Sequence, residues 1–212
     1  YKRFEMRVLV WVAGAVLAAA LLFCSLALVK NVRLMARAPY THPVRLPLLH
    51  PNLYLGNKDA ALDAHRGQSR DGINFAVCTA STDTCSYAFD ERTGRVRQGS
   101  RYIQYNAFEN SFPDSLRIRP ADFYRFVTTA ADWIERALAS DKKVLVHCHA
   151  GINRSVSSLV AWAMLKKGWS YDKAVAYISD MNTRHRQIRT LTNPVFRKLL
   201  RDLPRHVGAR PV

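Results

Sequence analysis

Acidic residues are scarce in this chain of 212: 16 Asp and Glu stand against 32 Lys and Arg, a formal net charge of +16. Such a field selects acidic partners, among them anionic head groups and phosphorylated molecules. Cysteine is also sparse, with Cys24, Cys78, Cys85 and Cys148 only. No C-x-x-C pair occurs, so nothing calls for a metal, and four cysteines are too few for a disulfide scaffold. The sequence asks for no cofactor, and a reducing compartment fits this usage best. Internal repeats and low-complexity tracts are missing. No stretch interleaves aromatics with basic residues in the manner of an RNA-binding surface, so no specific nucleic-acid partner is expected.

Charge is missing altogether from Val8 to Val29, 22 residues in a row. About 20 apolar residues cross a bilayer as one helix, so a single N-terminal membrane anchor over residues 1–30 is the favoured expectation. A cleaved signal segment, with Met6-Arg7 as a start and Ser25-Leu26-Ala27 for cleavage, is the second reading. A buried core helix is the third, and an organelle presequence stays open. Lys2, Arg3 and Arg7 precede the run, while Lys30, Arg33, Arg37 and Arg45 follow it. The positive-inside rule then places the rest of the chain on the cytoplasmic side, against an anionic membrane surface. Residues 31–212 keep 28 Lys and Arg against 15 Asp and Glu, an excess of 13 positive charges.

Residues 31–47, with Pro39 and Pro43, read as a linker. Strands are expected near Leu53–Leu55, Gly72–Cys78, Arg101–Ala107 and Lys143–His147. From Pro120 to Ser140, Phe123, Phe126, Val127, Ala130, Trp133, Ile134, Ala137 and Leu138 recur at helical spacing on one face. Ser170 is an N-cap for a helix through Met181, and Thr192-Asn193-Pro194 opens a last helix with Phe196, Leu199, Leu200 and Leu203 inside. Phe108 to Ser115 is a turn-rich loop carrying Glu109 and Asp114.

The most telling stretch is Val144-Leu145-Val146-His147-Cys148-His149-Ala150-Gly151-Ile152-Asn153-Arg154-Ser155. An apolar strand precedes Cys148 and a helical run follows Ser155, so the cysteine sits on a strand-to-helix turn. Such a turn aims backbone N–H groups and the positive end of a helix dipole at one spot, where an anion belongs. The same field stabilises the thiolate of a cysteine placed there. Arg154 adds a planar fork that grips two phosphate oxygens.

The pattern H-C-x-x-G-x-x-R-S between a strand and a helix resembles the signature of the cysteine-based protein tyrosine phosphatase superfamily. Pro51-Asn52-Leu53-Tyr54-Leu55-Gly56-Asn57 and the final Asn193-Pro194-x-Phe196 are similar to segments of its dual-specificity branch. The resemblance implies an α/β fold with a central, mostly parallel sheet flanked by helices, here over residues 48–205, followed by a short tail at 206–212. It also implies phosphomonoester hydrolysis through a cysteinyl-phosphate. Cys148 is then the nucleophile, and Arg154 with the backbone of His149, Ala150, Gly151, Ile152 and Asn153 binds the phosphate. Ser155 eases departure of the thiolate, and His147 supports the loop from the opposite side of the strand. Asp114 is the preferred proton donor, with Glu109 the alternative. Only His149 between the cysteine and the arginine can be positive, which favours phosphoproteins carrying pTyr and pSer/pThr. The apolar run and the basic domain favour a phospholipid instead, so a membrane lipid phosphatase is the alternative, and a non-catalytic phosphate-binding adaptor is a third reading. Cys78 is expected as a buried apolar residue, with a disulfide to Cys148 under oxidation as the minority reading.

Overall fold

A computed structural model describes residues 42–81, 84–90, 92–93, 95, 97–102 and 118–207. The apolar run at 8–29 therefore lies outside the described residues, as do Glu109 and Asp114. Among the described residues, no helix is long and apolar enough to cross a membrane.

Five strands form one sheet in the order β1-β2-β5-β3-β4, with β1 at Val44–Arg45, β2 at Leu53–Gly56, β3 at Phe75–Cys78, β4 at Ser100–Tyr102 and β5 at Val144–His147. Among the described strands, only β1 runs antiparallel to its neighbour; the pairs β2–β5, β5–β3 and β3–β4 are parallel. All four residues of β5 are buried. Alternation along it decides what each face receives. Val144 and Val146 join Leu53, Leu55 and Val77 in the larger core, while Leu145 joins Tyr54 and Ala76 in a smaller one on the other face.

The larger core is closed by α2 (Pro120–Ala139), α3 (Arg154–Lys167), α4 (Tyr171–Arg186) and α5 (Pro194–Val207). In α2, Phe123, Phe126, Val127, Ala130, Ile134, Ala137 and Leu138 are buried on the face their spacing predicts, and Trp133 is only partly buried against that core. Trp162 of α3 is fully buried and donates its indole N–H to Glu135 of α2 at 2.8 Å. The smaller core is covered by α1 (Lys58–His65) and a 3₁₀ turn at Ser86–Ala88.

The helix ends follow from single side chains. Asn57 accepts from the Ala60 N–H to start α1, and Ser170 accepts from the Lys173 N–H to start α4. Asn193 accepts from the N–H groups of Val195 and Phe196, with Pro194 as the first residue of α5. Each satisfies donors that a helix leaves open. Several boundaries differ from the sequence expectations: β3 begins at Phe75 rather than Gly72 and β4 at Ser100 rather than Arg101. β1 lies inside the stretch read as a linker, α1 had no signal, and α4 runs five residues beyond Met181.

Candidate active site

β5 is the middle strand, and Cys148 is the first residue beyond its C-terminal end. Ligands of open parallel sheets sit at this edge. The chain leaves β5, passes through residues 148–153 and enters α3 at Arg154. Cys148 is 2 % exposed, and its thiol serves as an acceptor. It accepts from the Gly151 N–H and from the Ser155 hydroxyl, each at 3.3 Å.

Four of the loop's carbonyls find partners outside the loop and its flanking elements. His149 O accepts from Lys58 N at 3.1 Å and Ile152 O from Leu191 N at 2.8 Å. Ala150 O accepts from Arg186 Nη2 at 2.9 Å and Gly151 O from Arg186 Nη1 at 3.5 Å. In a planar trans peptide the N–H points opposite to the carbonyl. Four carbonyls held outward therefore turn the N–H groups of Ala150, Gly151, Ile152 and Asn153 to the other side, where the sulfur lies. Gly151 permits this with φ +73, and a Cβ there would fall 2.5 Å from Gly56 O. Backbone donors turned to one side in this way suit an anion.

Arg154 is half-buried at the first position of α3. Desolvation pushes its guanidinium pKa down to about 10, and Tyr102 pulls it back up, so it remains a cation at neutral pH. Asn153, 1 % exposed, fastens the loop to the segment before α5. Its side-chain oxygen accepts from the Thr192 hydroxyl and the Asn193 N–H, and its amide donates to Thr192. His149 is the exposed member at the rim, with its Nδ1 3.2 Å from the Thr84 hydroxyl.

His147 is the last residue of β5, next to Cys148. It is fully buried, its Nε2 meets the Tyr87 hydroxyl, and its Nδ1 sits 3.2 Å from the Cys148 carbonyl. Burial pushes its pKa down to about 4, against a smaller opposing effect of the Cys148 carbonyl, so the ring is neutral.

Two participants carried no usable signal in the sequence. Arg186 is 1 % exposed and also donates to Asn182 Oδ1 at 3.1 Å. Its surroundings, Arg184-His185-Arg186, read as the basic last turn of a solvated helix. Lys58 acts through its backbone, which no side-chain pattern announces.

The cysteines differ from expectation. Cys78 is disulfide-bonded to Cys85, with Cα atoms 6.1 Å apart, and Cys148 is free. Register explains why Cys78 reaches this site: it pairs with His147 across β3 and β5. Cys78, Ala80, Cys85 and Cys148 pack as one cluster, so the pairing of Cys78 with Cys148 offered by the sequence is replaced by one with Cys85.

Sheet, loop and helix define a cysteine-based phosphatase scaffold of the protein tyrosine phosphatase superfamily. Residues 53–205 match the family model described as dual specificity phosphatase, catalytic domain, and the chain belongs to the dual-specificity phosphatase family. Human protein phosphatase Slingshot homolog 2 is 30 % identical over 115 residues, 50 % of this chain and 8 % of that protein. Serine/threonine/tyrosine-interacting protein B of Xenopus laevis is 26 % identical over 144 residues, 66 % of this chain and 59 % of that protein. The matched part thus spans at most about three fifths of these relatives. Among solved structures, human tyrosine phosphatase-like serine/threonine/tyrosine-interacting protein superposes with a TM-score of 0.56 at 22 % identity, covering 80 % of this chain and 99 % of that one. A mouse putative dual specificity phosphatase gives 0.53 at 20 % identity, with 82 % and 92 % covered.

Proposed function

We propose that this chain hydrolyses phosphomonoesters of proteins, pTyr together with pSer and pThr, through a cysteinyl-phosphate. The observation that carries the reading is the Cys148 thiol, hydrogen-bonded by Gly151 and Ser155 inside a loop four of whose carbonyls are bonded by Lys58, Arg186 and Leu191 outside it. Cys148 attacks phosphorus in line with the leaving oxygen. Arg154 and the inward N–H groups hold the equatorial oxygens, whose charge must be stabilised throughout the transfer. An acid on the loop before α2, Asp114 in preference to Glu109, protonates the leaving oxygen. Water then attacks the cysteinyl-phosphate, and the Ser155 hydroxyl stabilises the thiolate as it departs. His147 holds Cys148 in register without exchanging a proton, since it is neutral and faces Tyr87.

The choice of phosphoproteins rests on the loop. Between Cys148 and Arg154 it offers one side chain, His149, that can be positive, which suits a single phosphate better than a multiply phosphorylated head group. The uncharged run at 8–29 and the 13 excess positive charges of residues 31–212 support a single membrane anchor with the catalytic domain on the cytoplasmic face. They also favour a phospholipid as the second reading.

Full-length chain and a Cys148→Ser control are compared on phosphopeptides, phosphoinositides and phosphatidylglycerophosphate. Release of phosphate from phosphopeptides, lost in the control, is the expected result. Turnover of a lipid alone replaces the substrate class, and no turnover with retained phosphopeptide binding makes the domain an adaptor.

A further inference from the structure

α5 starts beside the loop that follows β5 and leads away from it. The residues that open it, Thr192 and Asn193, are bonded to Asn153 of that loop, and Phe196, Leu199, Leu200 and Leu203 turn one face into the core. The opposite face carries Pro194, Arg197, Lys198, Arg201, Pro204 and Arg205, all exposed, at the three- and four-residue spacing that sets side chains in one row. Two hollows open along this row and share Arg201. The one nearer the loop, about 310 Å³, is lined by Pro194, Arg197, Lys198, Arg201 and Asp202. The farther one, about 450 Å³, has Trp169, Tyr171 and Pro204 among its walls. The Arg201 guanidinium stands 4.9 Å from the centre of the Tyr171 ring, and the Lys173 ammonium 4.3 Å from that of Trp169. Asp202, the acid in the nearer hollow, lies 3.9 Å from Arg205. Arg197, Lys198 and Arg201 join no ion pair among the described residues.

We propose that this face of α5 holds an acidic segment of the phosphoprotein substrate, with an apolar side chain beyond it, while the phosphoresidue occupies the loop. The inference rests on the reading of the domain as a protein phosphatase. Charge is complementary: Arg197, Lys198 and Arg201 border one hollow without carboxylates of their own, so a run of acidic residues is drawn there. Trp169, Tyr171 and Pro204 give the farther hollow apolar walls that a leucine or methionine of the same segment would cover, inside a basic rim. The reach fits as well. From Pro194 to Arg201 the helix rises about 10 Å, and an extended chain advances about 3.3 Å per residue. Carboxylates about three to six residues from the phosphoresidue therefore meet the nearer hollow, and an apolar residue a little farther on meets the second. The cations line concave hollows set in a row, a shape that suits a chain better than a flat bilayer. Holding the substrate at two places raises its effective concentration at the loop, so a loop with one ionisable side chain between Cys148 and Arg154 gains selectivity from outside itself.

Full-length protein is given phosphotyrosine peptides of one core sequence, either bare or extended by a run of glutamates and a leucine, on the N-terminal and the C-terminal side in turn. One of the extended peptides is expected to show a KM about tenfold lower than the bare one, with kcat unchanged. That advantage should shrink as salt rises from about 50 mM to about 300 mM. Arg197→Ala combined with Lys198→Ala should abolish the advantage and leave turnover of the bare peptide as it was. Acetylation of the intact protein, mapped by mass spectrometry, gives a readout independent of turnover. The unphosphorylated acidic peptide should protect Lys198 and Lys173, and a neutral peptide of the same length should not. Equal KM values for all the peptides, or an advantage that survives the double substitution, overturn the proposal. So does protection of these lysines by vesicles of phosphatidylcholine with phosphatidylserine, but not by phosphatidylcholine alone or by the peptide, which assigns the face to a membrane. No turnover of any phosphopeptide with the protection by the acidic peptide intact counts against the proposed function and sustains the docking face.

Discussion

Arg186 donates to the carbonyl of Ala150 at 2.9 Å, from the side of the loop opposite the sulfur. A fully buried guanidinium thus fixes the direction of the peptide that presents the Gly151 N–H to Cys148. Replacing it with methionine keeps the length and removes the donors. Charged hydrogen bonds contribute about 1.5–3 kcal/mol each, so loss of the two shorter ones, to Ala150 O and Asn182 Oδ1, should make Arg186→Met cost about 3–6 kcal/mol of stability. Inhibition by vanadate should weaken with kcat. Denaturant titration alongside vanadate inhibition checks both, and loss of stability with unchanged vanadate affinity would confine Arg186 to the core.

Gly151→Ala should leave the sheet intact and the loop displaced. Its φ of +73 disfavours any side chain, and the new Cβ would press on Gly56 O at the end of β2. A displacement of about 1 Å at such a site costs roughly 10²-fold in rate. Turnover measured beside a far-ultraviolet spectrum distinguishes a moved loop from an unfolded domain.

The general acid can be found by leaving group. Asp114→Asn should cut turnover of phosphotyrosine by about 10²–10⁴-fold and spare an activated aryl phosphate, whose leaving oxygen needs no proton. Glu109→Gln should affect both substrates little. If the pattern falls on Glu109 instead, the assignment moves there.

His147 makes stability depend on pH. Its pKa is about 4 in the folded protein, against 6.5 for an ordinary histidine, because burial penalises the cation. Between these values the unfolded chain binds more protons than the folded one. Stability contributed by this residue is therefore complete above about pH 6.5, declines as pH falls to about 4, and amounts to about 3 kcal/mol. Denaturation of wild type and His147→Gln at pH 7.5 and 4.5 should show a smaller loss in the variant.

What the sequence displayed and what it hid can be separated residue by residue. α2 was visible because eight of its residues recur at helical spacing, and β5 with its loop because an apolar strand, a glycine, an arginine and a helix stand in fixed order. β1 was invisible: two residues beside Pro43 at an edge leave no periodicity to detect. α1 is short and weakly amphipathic, and starts from Asn57 alone. The last turn of α4 was missed because its inward residues, Asn182 and Arg186, are polar. Arg186 is buried for its hydrogen bonds to the loop and to Asn182, and Asn182 for its bond to the Ile188 carbonyl beyond the helix, and an apolar pattern cannot register them. The bond between Cys78 and Cys85 depends on where the turn after β3 folds back, which spacing does not report.

The position of β5 also governs the order in which the domain can be made. Among the described residues it is the last strand to be synthesised and the one that fills the middle of the sheet, between β2 and β3. Until the ribosome has released Val144–His147, β2 and β3 share no neighbour and each keeps an open edge of N–H and C=O groups, the kind of edge that pairs with strangers. Cys148 follows that strand by one residue. A nascent chain therefore gains the middle of its sheet and Cys148 in a single late event, and any fragment ending before Val144 lacks both.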